Sequence, residues 1–179
     1  MISDIIATEL SLCPRFEEPA MADSDAANVF ISHVHEDDDG LGKLKGLLKE
    51  KGLHIRDASI HAGKENNATA PDYIKSEILA PQIRWAGVFV VYVTPKTKDS
   101  AWVNWEIEYA QKIGKRIVGV WGHGDANCEL PEALKDYADA MVGWHGDSIV
   151  DAITGKSNTW ENPDGTKPAP RRIIRYSCA

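Results

Sequence analysis

Between Asn28 and Gly155 the chain repeats one pattern five times: a short apolar run, a turn, then a segment with helical spacing. A strand followed each time by a helix returns parallel to the strand before it. The pattern therefore predicts an α/β fold, a flavodoxin-like doubly wound five-stranded parallel sheet with helices on both faces. "NVFISHV" opens the series, and "DDDGLGKLKGLLKEKG" follows it with acidic residues suited to a helix start. That segment puts Leu41, Leu44, Leu47 and Leu48 on one face and ends at Gly52, a common stop. "LHIRDAS" is a second, weaker strand; after the polar loop "IHAGKENNATAP", the segment "DYIKSEILAPQI" reads as a helix closed near Pro81. "AGVFVVYVT" is the most apolar run of the chain and the natural central strand, covered on both faces. "DSAWVNWEIEYAQK" is the third helix. "KRIVGVWG", "LPEALKDYA", "DAMVGW" and "DSIVDAITG" complete the alternation. The expected organisation is an N-terminal extension over residues 1–27, one domain over 28–155, and a tail over 156–179 that packs on the domain.

Charge and composition narrow the partners. A net charge of -7, from 27 acidic against 20 basic residues, argues against a broad nucleic-acid surface, so an anionic ligand has to be met locally. No apolar run approaches the length that crosses a bilayer, and the first twenty residues lack the basic leader and apolar core of a signal peptide. Met21 is an alternative start. Cys13, Cys128 and Cys178 are odd in number and have no CxxC spacing, which suggests neither a disulfide framework nor a zinc site and fits a reducing cytoplasm. A cytoplasmic protein with neither a membrane nor a nucleic-acid partner is the expectation. His33, His35 and the acidic run from Glu36 to Asp39 invite a metal, but no distant ligand pair accompanies them and the acids serve the helix start; no metal is expected. The chain has neither GxGxxG nor GxxxxGK[ST], so a Rossmann dehydrogenase and a P-loop enzyme are both disfavoured.

The third helix carries an anomaly. At 100° per residue, Trp102, Trp105, Tyr109, Ala110 and Ile113 fall in one apolar stripe with Glu106 in its middle, while Glu108 projects with Asn104, Gln111 and Lys112 on the opposite side. A carboxylate on the inward face is either a satisfied structural group or the lining of a pocket, and the residues alone favour the first. In doubly wound sheets, ligands bind beyond the carboxyl ends of the strands, where the strand order reverses. Ser32, His33, Asp57, Ser59, Thr94, Trp121, Trp144 and His145 all fall at such ends, and Glu106 lies in the early turns of its helix, near the same rim. Each has an ordinary alternative. Ser32 and His33 suit contacts to ribose or phosphate but also cap loops; Asp57 suits a ribose hydroxyl or the ordering of its own loop. Phe30 is a strand residue expected in the core or at the pocket wall. Trp102 reads as core ahead of ligand platform. The loop "HAGKENNATAP", with Gly63 and Lys64, suits either a lid over phosphates or a plain solvated loop.

Three stretches, "VFISHVHED", "RDASI" and "SAWVNWEI", resemble the TIR domains, and within them the ThsB type of the Thoeris anti-phage systems. Common TIR domains carry Ser and then Trp-Cys-x-x-Glu at the third helix. Here Ser100, Trp102 and Glu106 keep that spacing and Val103 replaces Cys, as ThsB-like members also allow. The resemblance spans Asn28 to Gly155 and implies an NAD nucleosidase or ADP-ribosyl cyclase, cutting the bond between nicotinamide and ribose. NAD is then the substrate and no separate cofactor is called for. The resemblance makes Glu106 the essential residue, with Phe30, Ser32, His33, Asp57, Ser59, Ser100 and Trp102 as candidates for the surrounding NAD site. It also implies an ADP-ribose-derived signal that reaches a separate effector, and contacts between TIR domains that can assemble a composite site. The alternative is a non-enzymatic TIR scaffold that signals by homotypic assembly. A response-regulator-like phosphoacceptor is disfavoured, because Thr94 and Pro95 stand where its Asp is needed and no Lys marks the rim of the fourth strand.

Overall fold

The computed structural model describes residues 26–57, 71–124 and 128–168. Five strands, β1 (Ala26–Ser32), β2 (His54–Asp57), β3 (Val88–Val93), β4 (Arg116–Trp121) and β5 (Ala140–Val142), form one parallel sheet in the order β2-β1-β3-β4-β5. The strand order reverses between β1 and β3, the switch point expected of a doubly wound sheet. β3 is central, as its composition predicts, and its side chains alternate. Val88, Val90 and Tyr92 face one apolar layer, and Phe89, Val91 and Val93 the other.

Helices cover both layers. A 3₁₀ turn (His35–Asp37) leads into α1 (Asp38–Glu50), which packs with α6 (Gly146–Ile153) on one face. α1 buries Leu41, Leu44 and Leu48 and ends beside Gly52, whose φ of 81° only glycine adopts without strain. The opposite face carries α3 (Ala80–Trp85), α4 (Ala101–Lys112) and α5 (Glu132–Tyr137). α3 is preceded by one turn of α-helix, α2 (Pro71–Tyr73), and a π turn (Ile74–Leu79). Pro81 does not close this helix, which runs on to Trp85. The proline sits in the first turn of α3, where its missing N–H costs little, and the wide turn before it ends with Ala80 N–H donating to Lys75 O. Beyond α6 the chain returns along β5. Met141 N–H donates to Thr159 O (2.9 Å) and Glu161 N–H to Met141 O (2.8 Å), while Trp121 Nε1–H reaches Glu161 O (2.7 Å). Among the described residues no helix is long and apolar enough to cross a membrane.

Gly119 in β4 pairs in register with Met141 of β5. A Cβ there would stand 2.0 Å from Met141 Sδ and 3.2 Å from Leu134 Cδ2, both fully buried residues with little room to give. Gly119→Ala is expected to lower stability by about 1–3 kcal/mol, the usual cost of overpacking. Urea unfolding checks this: the midpoint should fall with an unchanged m-value.

Candidate active site

Strand alternation sets the first functional side chain. Val29 and Ile31 face the α1 layer, so Phe30 and Ser32 face α4. Phe30 stays in the core: it is 1% exposed and stacks on Phe89 with ring centroids 5.5 Å apart. Ser32, two residues on and at the carboxyl end of the strand, is buried as well.

The second is set by the start of α4. Ser100 caps the helix, its Oγ accepting from Val103 N–H (3.3 Å), so its hydroxyl is committed to the backbone. From that start, Val103, Glu106, Ile107 and Ala110 form the buried face, at spacings of three and four residues. The buried row is therefore not the aromatic stripe. Trp102 is 39% exposed, and Trp105, Tyr109 and Ile113 are half-buried along the flank. Val, Ile and Ala let α4 approach the valine-rich surface of β3 closely; indoles on that row would hold it off. Trp102 is thus not the core residue its sequence context suggests.

Glu106 points inward and meets Ser32. Ser32 Oγ–H donates to Glu106 Oε2 at 2.5 Å, joining the end of β1 to the second turn of α4, 74 residues away in the sequence. Glu106 is only 7% exposed, and burial pushes its carboxyl up from the usual 4.5 to about 7, with the Ser32 hydrogen bond acting the other way. The group therefore exchanges between acid and carboxylate near neutral pH, as suits a catalytic carboxylate.

The lips of the switch point are pinned together nearby. Thr94, just past β3, donates from Oγ1 to Asp37 Oδ2 (2.6 Å), and Thr97 Oγ1 accepts from Thr94 N–H (2.9 Å). Asp37 thus does more than favour the start of a helix: it ties the loop after β1 to the loop after β3. The imidazole of His33 turns away from Ser32. Its Nδ1 lies 3.1 Å from Ile31 O of β1 and its Nε2 2.9 Å from Asp38 Oδ1 at the start of α1, so both ring nitrogens are engaged within the loop between them and neither is presented to a ligand. Among the described residues no group of three His, Cys, Asp or Glu side chains is placed to hold a metal ion. Asp57 ends β2, but its side chain and the whole of Ser59, Gly63 and Lys64 lie outside the described residues. Trp121 is buried beneath the returning tail, Trp144 packs edge-on against Tyr92 (5.9 Å), and His145 stands just ahead of α6 without a side-chain bond to it.

The flank of α4 holds what the sequence did not mark. Lys75, in the π turn, lays its Nζ 5.5 Å from the ring centre of Trp102 and 5.4 Å from that of Trp105. Trp105 stacks on Tyr109 (5.3 Å, 15° between planes), and Arg84 Nη1–H donates to the Tyr109 hydroxyl (2.6 Å). Two open hollows, of about 510 and 490 Å³, lie elsewhere, one beside Lys43, His123 and Trp144 and the other between α4 and α5. Neither is lined by Glu106 or Ser32.

Residues 30–127 match the family described as the TIR-like domain of the Thoeris protein ThsB. A relative from Cytobacillus dafuensis, named as a candidate cyclic ADP-D-ribose synthase, TIR2, is 22% identical over 143 residues, which are 79% of this chain and 38% of the relative. The chain thus spans well under half the length of that protein. Among solved structures, the Clostridium botulinum CMP N-glycosidase BcmB is similar at 17% identity and a TM-score of 0.45, over 73% of this chain and 99% of that one. The TIR domain of the Toll-related receptor TRR-2 from Hydra magnipapillata is similar at 15% identity and a TM-score of 0.45, over 72% and 92%. With the match to residues 30–127 falling on β1 to β4, the switch point and the Ser32–Glu106 pair, the chain belongs to the Thoeris ThsB TIR-like domains.

Proposed function

We propose that this domain cleaves NAD between nicotinamide and ribose, with Glu106 as the catalytic carboxylate, and turns the ADP-ribose into a signal for anti-phage defence. One observation carries the reading: a carboxyl group buried at the carboxyl edge of the sheet and held by Ser32, where burial pushes its pKa up to about 7. The leaving group suits such a residue. As the C1′–N bond breaks, its electron pair goes to the pyridinium nitrogen and nicotinamide departs neutral, so no acid has to protonate it. Positive charge then builds on the ribose, and a carboxylate held in a poorly solvated site opposes that charge strongly. Water completes hydrolysis by adding hydroxide to C1′ and giving up a proton. A nucleophile within the same ADP-ribose, or on a second molecule, gives a cyclic isomer or a conjugate. The name carried by the Cytobacillus dafuensis relative supports the cyclic outcome.

The test is to incubate NAD with the purified protein, alone and with lysate from infected cells, and to follow nicotinamide release and NAD-derived products by mass spectrometry. Product formation by the wild type and none by Glu106→Gln is the expected result. NAD left intact by both, in both conditions, would sink the reading. A non-enzymatic scaffold is the second reading. Exposed aromatics on the α2–α3 side, Tyr73 and Trp85 at 55% and 49% exposure, favour a surface for self-assembly. Trp85→Ala protein that no longer assembles, in a chain that never turns over NAD, would support it.

A further inference from the structure

We infer that Lys75, laid over Trp102 and Trp105, is the cation that receives the diphosphate of the dinucleotide. The inference rests on the reading of Glu106 as the group that meets the nicotinamide ribose, and it adds the anchor for the rest of the substrate.

Four observations converge on Lys75. The first is position: Trp102 lies one helical turn before Glu106 on α4 and Trp105 is its immediate neighbour, so Lys75 lies over the turns of α4 that carry the candidate carboxylate. Four residues of helix advance about 6 Å along the axis. That offset is comparable to the reach from an anomeric carbon across its ribose to the 5′-phosphate. The second is the way the ammonium is held. Two ring faces at 5.5 and 5.4 Å fix it by cation–π attraction but use few of its hydrogens, leaving N–H donors for oxygen. The third is local backbone. Lys75 belongs to a π turn and its carbonyl accepts the five-residue bond from Ala80 N–H; such wide turns cost helix stability and are frequent at functional sites. The fourth is charge. A chain with a net charge of -7 repels an anion at long range, so the substrate's diphosphate needs a cation at the site itself. Lys98, just ahead of α4, is already paired with Glu129. Lys75 has no carboxylate partner among the described residues. With Trp102 39% exposed, the lysine–indole pair is open to a ligand on its outer side.

Calorimetric titration of ADP-ribose into wild-type protein, Lys75→Gln and Lys75→Arg tests the assignment without depending on turnover, and thermal melts of all three report folding. Lys75→Gln is expected to weaken ADP-ribose about tenfold, as loss of a charge-assisted contact to phosphate does, while Lys75→Arg stays within about threefold of wild type. Melting temperatures should stay close together. Wild-type protein that binds no ADP-ribose, a Gln variant that binds as tightly as wild type, or equal losses in Gln and Arg variants would each overturn the assignment. If ADP-ribose binding depends on Lys75 and yet NAD is never cleaved, the anion site stands and the proposed reaction falls.

Discussion

Replacing Glu106 by Gln is expected to stop NAD cleavage and at the same time to make the fold more stable. The activity loss follows from removing the one negative charge placed to meet the ribose cation; electrostatic contacts of that kind are worth about 10²–10³-fold in rate. The stability gain follows from burial. In the folded chain Glu106 titrates at about 7, against 4.5 for an ordinary glutamate. Below the lower value the group is protonated in both folded and unfolded chains, and its burial brings no charge penalty. As pH rises towards the higher value the unfolded chain ionises freely while the folded chain resists, so stability falls and the full penalty is present above about pH 7. A difference of this size amounts to something on the order of 3 kcal/mol. Gln keeps the shape and can still accept from Ser32 Oγ–H, yet cannot ionise. Denaturant melts at a series of pH values should show the variant above wild type near neutrality and the two converging in acid. Equal stability at all pH values would mean that Glu106 is freely solvated.

Ser32→Ala is expected to act through pH. The hydroxyl favours the charged form of Glu106 by donating to it, so its removal lets burial push the carboxyl further up. A hydrogen bond to a charged group is worth about 1.5–3 kcal/mol, which corresponds to an upward move of about one pH unit or more. At neutral pH the variant should turn over NAD about tenfold more slowly, because less of Glu106 is ionised. Raising the pH should recover most of the loss. A deficit equal at every pH would instead make Ser32 a direct contact to the sugar and leave the charge of Glu106 to burial alone. Initial rates of nicotinamide release across the pH range separate the two.

The fold was legible because its signals are local and redundant. The run Val88 to Val93 is apolar at every position and can only be covered on both sides, which puts it at the centre of the sheet. Gly52 stops α1 where its φ requires glycine. Glu106 was legible as an inward carboxylate on a helix with a recognisable start, although the face it shares is the Val103–Ile107–Ala110 row and not the row of indoles. Large aromatics dominate a helical-wheel reading, whereas close approach to a sheet favours small and branched side chains. Pro81 misled because a proline normally ends a helix, and nothing in "DYIKSEILAPQI" announces the π turn that accommodates it. Partners distant in the sequence were not legible: Ser32 with Glu106, Asp37 with Thr94, and Lys75 with Trp102 are pairings that only the closed sheet makes. The Thr94-x-x-Thr97 spacing was the one local hint of the network at that rim, since threonines three apart after a strand commonly bond to their own backbone.

The most direct measurement is the ionisation of Glu106 itself, read beside catalysis. In protein carrying ¹³C-labelled glutamate, the side-chain carboxyl resonance that vanishes in Glu106→Gln can be followed against pH, together with kcat/KM for nicotinamide release. Both should turn at one midpoint, close to 7. A carboxyl resonance that titrates near 4.5, or a rate that ignores the titration of Glu106, would contradict it.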